Sequence, residues 1–89
     1  MKSAAEVLVL LSRLSEEQVS YDAHTVLFHV EQLGLSYSQI LLALRSATVV
    51  DDGGLPDSCI VEFPHEGQSL LCRFDINTDG ITIVGFGWR

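Results

Sequence analysis

SYDAHTVLFHVEQLGLSYSQILLALRSATVV, residues 20–50, reads as two capped amphipathic helices joined at Gly34. In the first, Ala23, Val26, Leu27, Val30 and Leu33 recur at the spacing of one buried helical stripe, and Ser20 or Asp22 is placed to cap its start. Gly34 ends it, because a left-handed residue after the last turn costs glycine little. Ser36 and Gln39 then have capping-box spacing, and Leu35 and Ile40 stand where a hydrophobic staple closes over a new helix start. Tyr37, Ile40, Leu41, Leu44 and Ala47 form its stripe. Two such stripes only a few residues apart predict packing against one shared surface.

Toward the N-terminus, Ser3 and Glu6 again have capping-box spacing, and Val7, Leu10, Leu11 and Leu14 follow at helical intervals. Ser15 to Gln18 reads as a polar turn or short helical start, with Val19 dipping back to the core. Toward the C-terminus the period falls to two. Thr48-Val49-Val50 is β-branched and runs into the loop signal Asp51-Asp52-Gly53-Gly54. Cys59, Val61 and Phe63 share one side of a strand opposite Glu62. Leu70, Cys72, Phe74 and Ile76 share one side of the next, with Arg73 and Asp75 opposite. Ile81 to Trp88 makes the last strand. The expected architecture is α+β: three N-terminal helices packed on a C-terminal antiparallel sheet of three to four strands. Leu27, Val30, Leu41, Leu44, Val61, Phe74 and Ile83 are its expected core.

Eighty-nine residues make one domain, 1–89, with a single core. The longest apolar run, Val7 to Leu11, is far short of the ~20 residues that span a bilayer, so no membrane role is expected and the chain reads as cytoplasmic. Two cysteines, Cys59 and Cys72, are too few for a disulfide scaffold or a zinc site and are expected as buried thiols. Twelve acidic residues against five basic ones give a formal charge of −7. That balance argues against a free-standing nucleic-acid binder, which carries a basic stripe, and for a basic protein partner or a small active site on a repelling surface.

Little of the sequence carries explicit chemistry. Asp75-Ile76-Asn77-Thr78-Asp79-Gly80 begins like a calcium loop, but the twelfth position is Phe86 and the flanks are strands, so a polar β-turn is expected and no metal or cofactor. His24 and His29, five residues apart, lie roughly 140° apart around a helix and cannot share an ion. His65, in a loop beside Glu66, is open to proton transfer. Arg45, Arg73 and Arg89 are candidates for anion contacts.

The segment Val26 to Ser36, the following Ile40 to Leu44 and the ending Ile81-Thr82-Ile83-Val84-Gly85-Phe86 resemble the MqsR-type members of the RelE-like bacterial toxins and a related family of small uncharacterised domains. Pro56, Ser58, Cys59, Ile60, Val61 and Gly67 to Leu71 are similar to the strands of the second family. The resemblance implies a toxin of a toxin-antitoxin pair that cuts messenger RNA without a metal, with a cognate antitoxin as partner and RNA or the ribosome as target. The lysine of that pattern falls near Gly87, its tyrosine near Leu70 and the related histidine near Leu71, so the roles pass by chemical type to His65, Arg73 and Arg89. Such a reaction needs a base for the ribose hydroxyl, a cation for the phosphorane and an acid for the leaving oxygen. Beside this ribonuclease reading stands a second, a non-catalytic acidic interaction module on the same fold, such as an immunity, antitoxin or inhibitor protein.

Overall fold

Three helices lie on one face of a five-stranded mixed sheet in a computed structural model that describes residues 4–22, 26–51 and 57–88, with only the backbone of Val26–His29 and Asp51. The element order is α1 (Ala4–Arg13), a 3-10 turn (Glu16–Gln18), β1 (Val19–Tyr21), α2 (Val26–Leu33), α3 (Tyr37–Arg45), β2 (Thr48–Asp51), β3 (Ser58–His65), β4 (Gln68–Asn77) and β5 (Gly80–Trp88). The spatial order is β1-β5-β4-β3-β2. The expected core residues Val30, Leu41, Leu44, Val61, Phe74 and Ile83 are all buried, whereas the Leu27 side chain lies outside the described atoms.

The helices end and begin as their residues dictate. Gly34, at φ 69°, closes α2 in a Schellman arrangement: its N–H donates to the Glu31 carbonyl at 3.2 Å and the Leu35 N–H donates to the Val30 carbonyl at 3.3 Å. Ser36 then caps α3 reciprocally. Its Oγ accepts from the Gln39 N–H at 3.2 Å, and its own N–H donates to Gln39 Oε1 at 2.7 Å. Ile40, Leu41 and Leu44 turn inward from α3, and Val7, Leu11 and Leu14 from α1 and the residue after it, so both stripes meet the sheet.

The sheet departs from the expected three or four antiparallel strands. Val19–Tyr21 pairs in parallel with Ile81–Ile83, adding an N-terminal edge strand, and Ser20 therefore faces Thr82 across a ladder instead of capping a helix. Three residues are too few for a period to declare itself, and a parallel partner sixty residues downstream leaves no local trace. Val19 is buried and Tyr21 half-buried, the alternation of a one-sided strand.

Cross-strand rows make up the sheet side of the core: Cys59 opposite Phe74, Val61 opposite Cys72 and Phe63 opposite Leu70. Phe74, Cys72 and Val61 have no exposed surface. Full burial of such side chains is worth ~1.5–3 kcal/mol each, which is why β4, paired on both sides, sits at the centre. Both thiols are free and buried, as expected. Burial, with Cys59 nearby, pushes the Cys72 thiol well above its ordinary range and keeps it protonated and unreactive.

β5 carries one extra residue. Arg73 pairs with Gly85 and Phe74 with Ile83, so Val84 and Gly85 together oppose a single residue of β4. Beyond this bulge Phe86 pairs with Cys72 and Trp88 with Leu70, on the helical side of the sheet.

Two substitutions test this architecture. Leu44→Ala, at a fully buried position, is expected to cost ~2–5 kcal/mol in denaturant unfolding. A loss below ~0.5 kcal/mol would remove the helix-on-sheet packing. Gly80, at φ 150°, starts β5 directly beneath the 3-10 turn, where an added Cβ would run into the Gln18 backbone carbonyl. Gly80→Ala is therefore expected to lose ~1–3 kcal/mol from the backbone conformation alone, with the clash in addition. A melting temperature equal to wild type would show the close approach to be absent.

Candidate functional site

His65 ends β3 and enters a two-residue turn, Glu66-Gly67, closed by the pair His65–Gln68. Both turn residues have positive φ, 52° for Glu66 and 79° for Gly67, the signature of a type I′ hairpin. Asn-Gly is the favoured pair for that turn, and a glutamate in the left-handed region costs ~1–2 kcal/mol. Glu66 is the one non-glycine residue with positive φ among the described residues.

His65 shares the face of Phe63 and so reaches the helices. Its Nε2 lies 3.0 Å from the carbonyl of Leu33, the last residue of α2, and with the proton on Nε2 it donates to an oxygen that the ending helix leaves without an amide. Its ring stacks on Trp88, centroids 6.0 Å apart and planes 16° from parallel. Trp88 remains 47% exposed. Beside this pair opens a cleft of about 530 Å³ lined by Gln32, Leu33, Glu66, Leu70, Phe86, Gly87 and Trp88. Its lining combines the apolar Leu33, Leu70 and Phe86 with the Trp88 indole, one acidic residue, Glu66, and one amide residue, Gln32.

Arg73 lies on the other side of the sheet. Between buried Cys72 and Phe74 its side chain must project from the uncovered face, where Nε lies 3.4 Å from Ser58 Oγ. Of the three residues expected on one groove, His65 and Arg73 project from opposite faces of the sheet, and Arg89 lies outside the described residues. Arg45 serves neither an anion nor solubility alone, because its Nη2 donates to the Leu14 carbonyl at 2.7 Å, just beyond the end of α1. His24 and the His29 side chain lie outside the described residues.

The Asp75–Gly80 segment closes the β4–β5 hairpin as a polar turn. Asn77 Oδ1 accepts from the Asp79 N–H at 3.0 Å, and Asn77 Nδ2 donates to Thr82 Oγ1 at 2.9 Å. Among the described residues no group of three or more His, Cys, Asp or Glu side chains could hold a metal ion. No described helix is long and apolar enough to cross a membrane.

Sequence reasoning missed Trp88, Phe86 and Glu66 as neighbours. A strict period of two from Ile81 sends Phe86 and Trp88 to the uncovered face, and only the bulge returns them. Gly85 and Gly87, isolated in a strand, were the available signal for such a break. Comparison with family models, with curated proteins and with solved structures finds no match to the chain.

A second ring pair lies elsewhere, Tyr21 of β1 against Tyr37 of α3, with centroids 4.8 Å apart. Burial, reinforced by Tyr37, pushes the Tyr21 hydroxyl up to about 12. Because the folded value is raised, the neutral phenol contributes its full stability below the ordinary value near 10, and that contribution is lost as pH rises through 10 toward 12. An ultraviolet titration of tyrosinate should resolve one late step near 12 that Tyr21→Phe abolishes. A Tyr21 step near 10 would refute its partial burial against Tyr37.

Proposed function

We propose that the protein is a non-catalytic, acidic interaction module whose partner is a basic protein segment. The observation that carries this reading is the separation of His65 from Arg73 by the sheet, since no side-chain rotation takes a strand-centre arginine through its own strand. His65 is also committed to holding a helix end, and Arg45 to another. Of the ribonuclease constellation, His65 and Arg73 therefore do not stand together, and Arg89 lies outside the described residues. The formal charge of −7 supports the identity of the partner, because an acidic surface attracts basic segments and repels nucleic acid.

Induced expression in a bacterium separates the two activities. The interaction module should leave growth and cellular RNA unchanged, whereas a working ribonuclease should arrest growth, with His65→Ala or Arg73→Ala relieving the arrest. In parallel, a ten-residue peptide of alternating arginine and glycine should bind the purified protein, with affinity falling about tenfold or more between roughly 20 and 200 mM salt as screening shortens the reach of the charges. RNA cleavage by the wild-type chain, or no peptide binding at the lower salt, would overturn the proposal.

A further inference from the structure

We propose that the cleft at the end of α2 takes one arginine or lysine side chain of that basic segment, with its cationic head over the Trp88 ring and against the Glu66 carboxylate. The proposal rests on the reading of the protein as a basic-partner module and gives it an address. A cleft of about 530 Å³ is large enough for a long side chain with some of its backbone. Its lining divides as such a side chain does. Leu33 and Phe86, both half-buried, offer apolar surface for the methylene stem, while Trp88, Glu66 and Gln32 in the same lining supply an aromatic ring, a charge and an amide for the head. Indole is the best of the aromatic faces for a cation. His65 covers part of the Trp88 ring in near-parallel stacking and is itself fixed to the Leu33 carbonyl, so the ring is held by α2 and is not free to fold away. His65 is in this sense a positioning residue.

Glu66 supplies an independent observation. The turn it occupies would be more stable with asparagine or glycine at that position, yet a glutamate is held there at φ 52° with its side chain on the cleft. An unfavourable residue kept at the mouth of an aromatic cleft is what a binding role predicts and a purely structural turn does not. The net charge of −7 adds long-range attraction for the same ligand.

Trp88 is the only tryptophan in the chain and reports on its own site. Its fluorescence should change saturably when Nα-acetyl-arginine methylamide is added, and at least about tenfold more citrulline analogue, the neutral isostere, should be needed for the same change. Glu66→Gln should weaken the arginine compound and the arginine–glycine decapeptide about tenfold without altering the melting temperature. Glu66→Asn should weaken them equally and raise the melting temperature, because asparagine suits the turn. Trp88→Leu, followed by calorimetry with the decapeptide, should lose a similar factor. An equal response to arginine and citrulline, or a response to adenosine monophosphate alone, would overturn the proposal. So would salt-dependent decapeptide binding that Glu66→Gln and Trp88→Leu leave unchanged, an outcome in which the acidic-module reading stands and only the cleft is lost. Absence of any decapeptide binding would overturn both.

Discussion

The bulge that sets Val84 and Gly85 together against Arg73 is the constraint on which the cleft depends. Side chains of a strand alternate with a period of two, so one extra residue exchanges the faces of everything beyond it. Before the bulge Ile81 and Ile83 point into the core; after it Phe86 and Trp88 continue on that same side, in register with Cys72 and Leu70. The helical layer does not extend far enough to cover them. α2 is eight residues long and stops at Gly34, and the uncovered end of the sheet beyond it becomes a hollow with aromatic walls. Without the extra residue the same aromatics would lie on the uncovered face and the hollow would lose its indole.

Helix ends account for two of the basic groups that looked available for chemistry, His65 and Arg45. An α-helix leaves its last carbonyls without amide donors, and an oxygen removed from water without a partner costs ~1–3 kcal/mol. The Leu33 carbonyl is met by His65 from β3, and the Leu14 carbonyl, just past α1, by Arg45 from the end of α3. Both contacts join elements more than thirty residues apart in the chain. A histidine next to a glutamate in a loop and an arginine in a helical last turn invite a reading as acid, base or anion clamp. Here the backbone's demand for donors outweighs that reading, because it is met in the folded chain whether or not a ligand is ever present.

Legibility followed the range of the interactions. The α3 cap was visible because its partners, Ser36 and Gln39, are three residues apart, and the α2 stop because one glycine carries it. The alternation of Cys59–Phe63 and Leu70–Ile76 declared both the strands and their buried face, since a period of two needs no knowledge of the neighbour. β1 was not visible: Val19-Ser20-Tyr21 is extended because Ile81–Ile83 holds it so, and Ser20 looked like a cap for lack of that information. The bulge was half-visible in Gly85 and Gly87, but its location depends on which residue of β4 lies opposite. The site inherits that uncertainty, since the distance between His65 and Trp88 exists only once register, bulge and helix end have all been set.

The two faces of the sheet differ in a way that bears on which one recognises a partner. On the uncovered side the cross-strand rows run Glu62–Leu71–Gly87, Ile60–Arg73–Gly85 and Ser58–Asp75–Thr82. Each of these three rows carries one charged residue, so the apolar side chains in them are interspersed with charge. That is the pattern of a face that meets water, where interspersed charge discourages sheet-to-sheet association. The cleft has a different composition: Leu33, Phe86 and a half-exposed tryptophan beside Gln32 and a single charged residue, Glu66. Binding hot spots combine an apolar floor, which excludes water, with a few polar groups whose interactions strengthen as water leaves. A cation placed there would meet both the Trp88 ring and Glu66, two attractions acting at one place. The acidic charge of the whole chain can draw a basic segment toward any side of the molecule, and the cleft at the end of α2, with Trp88 and Glu66 in its lining, is the place proposed above for holding one of its side chains.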